Sequence, residues 1–453
     1  MLIAAPRIHD ADFFGELRAR EFSRLDTLGE TYLDYAGSAL YGISQLRAHH
    51  ALLECSVFGN PHSTHAASEA SSHVIETARA RVLEFFDVDT QTHDVCFTAN
   101  TTAAIKLVAE SYPFGPQAPL LLSADNHNSV NGMREYARRT GARVRYLPLD
   151  STLRLIDPEC VLAEESTNGG GLLAFPAQSN FSGVLHPAAT LVAKAKSLGF
   201  DVLLDVADFV SGHALSLRAC PADFAVLSFY KMFGFPTGVG ALVARREALA
   251  KLRRPWFAGG TVDYVSVALE AHQLRPSHEG FEDGTASFLA IAALESGFKM
   301  LAEVGMTRLN AHIDRLTARF IVGVQALQHR NGEALAKIYG PGEMAQRGGA
   351  VAFNLRDAAG KPISYSVVED RALTARVAVR GGCFCNPGAA EAAFAFDADR
   401  TRRCLERLGS DFSVPTFREC MGVEVGAVRL SPGLANNEAD VDRALAVVAS
   451  FLE

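Results

Sequence analysis

The sequence predicts an α/β fold: one large domain on a mostly parallel sheet and a smaller C-terminal α+β domain. Three observations carry this. From residue 95 to about 245, short apolar runs alternate with helical stretches, the pattern of crossover units that lay strands parallel with helices on both faces. The runs are apolar throughout rather than alternating, as strands buried on both faces are. Beyond residue 330 the texture changes to runs that read as a separate small unit.

In chain order, residues 1–30 are a polar lead-in with a short amphipathic helix over 13–28. Strands are predicted at 95–98, 120–123, 143–147, 172–175, 202–205, 225–228 and 239–243. Helices at 102–111, 128–140 and 187–198 lie between several of them. Two long helices follow at 285–304 and 307–327. Strands at 350–355 and 376–379 and a closing helix over 438–452 belong to the small unit. The expected layout is a lead-in over 1–30 packing on the fold, a large domain over 31–300 and a small domain over 301–453.

The 453 residues are 48% hydrophobic and 21% charged, an ordinary globular composition that buries a large core without disulfides or metal. Forty-three basic against 51 acidic residues leave a net charge of −8, which argues against a nucleic-acid surface. No run reaches the length of a spanning helix, and the N-terminal apolar run is too short for a secretory signal. A soluble, cytoplasmic protein is expected, with no membrane and no nucleic-acid partner. Eight cysteines without a C-x-x-C pair are too sparse for a disulfide framework and do not spell a zinc ribbon.

Ligands of open parallel sheets bind at the carboxyl ends of the strands. After the 95–98 run comes Asn100-Thr101-Thr102 and then a helix. Hydroxyls and free backbone N–H groups there suit a phosphate, or Thr101 or Thr102 is an ordinary cap. Asp205 ends an apolar strand, either as a cap or salt-bridge partner or as a carboxylate facing a cationic ligand group. After 225–228 come Ser228-Phe229-Tyr230-Lys231 and a turn with Gly234, Pro236 and Gly238. Lysine is scarce, eight in all. Between a buried strand and a Gly-Pro turn, Lys231 reads as an imine-forming nucleophile, against the alternative of a snorkelling surface lysine. Cradle, acid and lysine together are what pyridoxal phosphate needs. His65, Glu69 and His73 share a helix face with His62 nearby, but no supporting pattern accompanies them, and no metal is expected.

Further stretches join these: Tyr32-Leu33-Asp34-Tyr35-Ala36-Gly37, Phe58-Gly59-Asn60-Pro61-His62-Ser63, Ser179-Asn180-Phe181-Ser182-Gly183, and Arg380-Gly381-Gly382-Cys383-Phe384-Cys385-Asn386-Pro387-Gly388. With them the chain resembles the class V, fold-type I pyridoxal-phosphate enzymes, the group of cysteine desulfurases. The nearest likeness is to the desulfurase-like N-terminal domain of molybdenum cofactor sulfurases, over roughly residues 30–450.

The resemblance implies a fold-type I architecture, pyridoxal 5'-phosphate as cofactor, and a role for each matching residue. Lys231 matches the lysine that bonds the cofactor, Asp205 the partner of its ring nitrogen, and His127 the imidazole stacked on the ring. Asn180 matches a residue near the phenolic oxygen. Thr101, Thr102 and Ser228 match phosphate ligands, and Thr261 a phosphate contact donated by the second subunit of a homodimer. Arg429 matches the arginine that clamps the substrate carboxylate, with Arg380 close to the substrate. Cys385 matches the nucleophile that takes sulfur from L-cysteine as a persulfide, releasing L-alanine, before passing it to an acceptor. A C–S lyase, epimerase or aminotransferase acting on a specialised amino acid is the alternative, and it does not require Cys385. The chain departs from the pattern at Asn100 (usually glycine), Tyr230 (usually histidine), Asp208 (often glutamine or a similar neutral group) and Ala390 (often cysteine).

Overall fold

A computed structural model describes residues 10–166 and 170–453, so the first nine residues of the expected lead-in lie outside the described residues. Seven strands form the main sheet, in the spatial order His93–Thr98, Gly240–Arg245, Phe224–Ser228, Asp201–Asp205, Leu172–Pro176, Leu120–Ser123 and Val144–Leu147. All seven predicted runs are strands of this sheet. Only Gly240–Arg245 runs against its two neighbours; the other pairings are parallel.

The unbroken apolar runs have a simple cause. Side chains alternate between the two faces of a strand. Leu173, Phe175, Val202, Leu204, Ala225 and Leu227 enter one apolar cluster. Leu172, Ala174, Leu203, Phe224 and Val226 enter another. Helices cover both clusters, so both faces exclude water and the middle of each of these strands is apolar, with polar residues confined to the strand ends.

The small sheet is antiparallel, in the order Ala336–Tyr339, Val351–Leu355, Ala427–Leu430 and Arg380–Gly382. Here the expectation for 376–379 needs correction. That stretch yields only Val377–Ala378, which pairs in parallel with Thr31–Tyr32. The strand that joins the small sheet from this region is Arg380–Gly382, where Gly381 lets Tyr365 and Glu369 of the helix Tyr365–Thr374 pack against its backbone. The expected helix over 128–140 divides at Gly132 into Asn128–Asn131 and Met133–Arg139. That over 285–304 divides into Phe288–Ala292 and Leu294–Val304.

Asp10–Glu21 and Arg24–Leu28 replace the single lead-in helix. Arg18 ties them down through Asp26 at 2.8 Å and through Asp440 of the closing helix Glu438–Ala449 at 2.6 Å. A disulfide joins Cys404 and Cys420, on the helices Ala398–Leu408 and Val414–Met421. A sparse cysteine count excludes a framework but not a single pair. Among the described residues no helix is long and apolar enough to cross a membrane.

Candidate active site

The strand ends of the main sheet open into a cavity of about 190 Å3. Asn100, Thr101, Thr102, His127, Asn180, Asp205, Ser228 and Lys231 line it, together with Ser129, Gln178 and Asp208. Seven residues singled out from the sequence thus meet in one place, although their numbers run from 101 to 231. A larger cavity, about 360 Å3, lies beside the helix Thr101–Ser111. Its lysine, Lys106, is bound to Glu110 at 3.0 Å, and the residues singled out from the sequence line the smaller cavity.

Each side chain is set by local structure. Asn100 caps the helix Thr101–Ser111, its Oδ1 accepting from the Ala103 N–H at 2.9 Å. The Thr101 N–H donates to Ser228 Oγ at 2.8 Å, and the two hydroxyls lie 2.7 Å apart. Thr102 and Ser129 hydroxyls are also 2.7 Å apart. Hydroxyls and the N-terminal N–H groups of an eleven-residue helix form an anion cradle.

Asp205 ends its strand buried, with an edge on the cavity. Burial pushes its carboxyl above the ordinary carboxylate range, while the Ala207 N–H and Lys231 pull it back. His127 caps the helix Asn128–Asn131, its Nδ1 accepting from the Ser129 N–H at 3.1 Å. The ring proton of the neutral form therefore sits on Nε2. Burial first, and then the Lys231 charge, lower its pKa to about 4, so the ring is neutral at physiological pH.

Lys231 leaves the short helix Tyr230–Phe233, with its Nζ 3.8 Å from Asp208 Oδ1. Asp208 Oδ2 accepts from Gln178 Nε2 at 2.7 Å. Gln178 escaped the sequence reading, although it immediately precedes the quoted Ser179-Asn180.

Four singled-out residues stand outside the cavity lining. Arg429 lies in the strand Ala427–Leu430, with its side chain 2% exposed. Its Nη2 is 3.0 Å from Asp34 Oδ1, and its Nη1 donates to the Asn180 carbonyl at 2.9 Å. Arg380 takes the other oxygen of Asp34, at 2.6 Å. Asp34 thus bridges both arginines; the sequence quoted it within a motif but gave it no role.

Cys385 is exposed, on a turn where Phe384 and Cys385 both have φ of +55°. Consecutive left-handed residues that are not glycine persist only where surroundings impose them. Here the Cys385 carbonyl accepts from the Asn128 N–H at 2.7 Å. Asn180 Nδ2 donates to the Phe384 carbonyl at 2.8 Å. The buried Asn386 amide donates to the Asp125 carbonyl at 2.7 Å and to Asn180 Oδ1 at 2.9 Å. Gly388 lies so close to the Ala124 carbonyl that a Cβ would collide with it. The backbone of this loop is thus docked on the His127 turn, while the Cys385 side chain stays exposed. Cys383 packs against the Phe181 and Phe384 cluster instead.

Thr261 is fully buried in its own turn, its hydroxyl bonded to the Ala258 N–H and carbonyl at 2.9 Å. Among the described residues no group of three or more candidate ligands could hold a metal ion. His65 caps the helix Ala66–Phe85 instead, accepting from the Ser68 N–H at 3.3 Å.

The family model for aminotransferase class-V matches residues 31–444. The chain belongs to this family. It is 36% identical over 413 residues to the molybdenum cofactor sulfurase of Arabidopsis thaliana, covering 83% of this chain and 50% of the relative. To the human molybdenum cofactor sulfurase it is 35% identical over 457 residues, covering 94% of this chain and 50% of that one. The chain thus spans about half the length of these relatives. An apo cysteine desulfurase from Thermococcus onnurineus NA1 shares the fold, with a TM-score of 0.79 at 22% identity over 99% of each chain.

The cofactor of the family is pyridoxal phosphate. The cavity fits it by the chemistry of its donors: one lysine, a strand-end carboxylate, a neutral imidazole, and hydroxyls at a helix N-terminus.

Proposed function

We propose that this protein is a pyridoxal-phosphate-dependent cysteine desulfurase: it takes sulfur from L-cysteine as a persulfide on Cys385 and releases L-alanine. The observation that carries the reading is the hydrogen bond from the Asn128 N–H to the Cys385 carbonyl, which docks the backbone of an exposed thiol on the turn that carries His127.

Pyridoxal phosphate, when bound, supplies an electron sink for the bonds around the amino acid's Cα. Lys231 is its covalent anchor and the base nearest the substrate. Thr101, Thr102 and Ser228 hold the phosphate with the helix N-terminus. Asp205 would partner the ring nitrogen and keep a proton on it, and the neutral His127 would pack against the ring. Asn180 would lie near the phenolic oxygen. Arg429 and Arg380 receive the substrate carboxylate, with Asp34 keeping both guanidinium groups oriented. Cys385 attacks the substrate sulfur. The C–S bond breaks, an S–S bond forms, and the carbon takes a proton. L-cysteine and the thiol become L-alanine and a persulfide, with hydrogens and sulfurs conserved. The enzyme sulfur and the transferred sulfur are each oxidised by one electron, and the substrate carbon is reduced by two.

The same reading includes a second copy of the chain, although Thr261 is enclosed in its own turn and its hydroxyl is held by Ala258, so the segment around it rather than that hydroxyl would meet the partner. The hairpin that follows Thr261, Val262–Ser266 with Ala271–Leu274, exposes Tyr264, Val267 and Leu269, and Trp256 is exposed just before it. These side chains are the face we assign to that contact.

The test is incubation of purified protein and C385A with L-cysteine and reductant. Wild type yields alanine and sulfide, while C385A keeps the visible cofactor band and loses most alanine. Borohydride reduction and peptide mapping should label Lys231. Normal turnover by C385A would replace this reading with the C–S lyase.

A further inference from the structure

The cavity holds a second carboxylate that no catalytic role has yet claimed. Asp208 stands where the resembling enzymes often carry a neutral group. Its side chain is 5% exposed, and that of Lys231 15%. One oxygen, Oδ2, is anchored by Gln178 at 2.7 Å. The other, Oδ1, has no hydrogen-bond partner and is the atom 3.8 Å from Lys231 Nζ. A buried carboxylate with one oxygen fixed and the other left to a lysine is a built counter-ion.

We propose that Asp208 keeps the proton on the Lys231 nitrogen when that nitrogen is bonded to the cofactor, and so sets the pH at which the site loses that proton. The proposal rests on the reading of Lys231 as the covalent anchor.

The other charged groups around Lys231 leave this task to Asp208. Asp205 also lines the cavity, but its Oδ1 accepts from the Ala207 N–H at 3.0 Å, and among the described residues Asp208 is the carboxylate within ion-pair distance of Lys231. His127 is neutral. The Arg429 charge is met by Asp34. Tyr230 shares the short helix with Lys231. Behind Asp208 lies a cavity of about 20 Å3 walled by Gln178, His213, Ser211, Tyr35 and Ser431, in which His213 is the ionisable base and is itself held below its ordinary pKa, chiefly by burial.

An opposite charge at about this distance moves a titration by roughly one to three pH units. A carboxylate beside a cationic nitrogen favours the protonated form, so its loss moves the titration to lower pH. The amide of a neutral residue has no such pull.

The experiment is a spectrophotometric pH titration of the visible band of the cofactor-loaded protein, which reads protonation without turnover. D208N is expected to lower the midpoint by about one to three units, and D208E to stay near wild type. If D208N does not take up cofactor, D208Q, which carries the amide of the resembling enzymes, is read instead with the same expectation. An unchanged midpoint in the loaded neutral variant would overturn the proposal and leave Lys231 as the anchor. A wild-type protein with no visible band would overturn the Lys231 reading, and the proposal with it.

Discussion

The Asn128 N–H and the Cys385 carbonyl meet at 2.7 Å, joining two segments more than 250 residues apart. Asn128 follows His127 at the rim of the cavity. The bond therefore ties the backbone under the thiol to the turn that carries the imidazole, while the side chain of Cys385 is exposed. In the proposed mechanism the mobile part of sulfur transfer is a single side chain.

Asn386 tests that docking. Its amide joins the Asp125 carbonyl to Asn180, and it is fully buried. N386A should keep the cofactor band and lower turnover by about tenfold or more, since misplacing a reacting group by an ångström costs on the order of a hundredfold. Steady-state kinetics with L-cysteine check it. Wild-type kcat in N386A would show that the docking is not needed.

Asp34 holds two arginines at once, Arg429 at 3.0 Å and Arg380 at 2.6 Å. Removing one member of a buried ion pair costs about 3–5 kcal/mol. D34A should lose stability of that order in urea melts, and D34N should raise KM for L-cysteine more than it lowers kcat. An unchanged KM in D34N would separate Asp34 from carboxylate recognition.

His127 and His93 are both held near a pKa of about 4, chiefly by burial. The unfolded chain takes these protons at the ordinary histidine value of about 6.5. The folded state therefore loses stability as pH falls from about 6.5 toward 4, by on the order of 3 kcal/mol for His127 alone. Urea midpoints near pH 7 and about pH 4.5 measure it. H127N should flatten part of the slope, and a midpoint equal at both pH values would refute the assignment.

The disulfide between Cys404 and Cys420 spans 16 residues, a loop whose closure stabilises by about 3 kcal/mol. Dithiothreitol or C420S should lower the stability of this helical pair by that order, seen as faster amide exchange over residues 398–421. Exchange unaffected by reduction would mean the link carries no stability.

Much of this was legible before any coordinates. The seven main strands were readable because each is buried on both faces, which leaves a run of apolar residues with no ambiguity of face. Lys231, Asp205 and Thr101 were readable because strand ends mark where ligands bind. The Arg380–Gly382 strand was not, since Arg-Gly-Gly has neither β-propensity nor alternation and pairs only because the small sheet offers an edge. Asp34 and Gln178 were quoted or passed over without a role for a related reason. Their work consists of contacts with Arg429 and Asp208, distant in sequence, and no local pattern announces such a contact.

The most direct test of the central claim is mass spectrometry of the Cys385 peptide after wild-type protein, loaded with cofactor and free of reductant, receives one equivalent of L-cysteine. The account predicts one equivalent of L-alanine and one added sulfur on Cys385, with none on Cys383. Alanine formed with Cys385 unmodified, or the added sulfur found on Cys383, would contradict it.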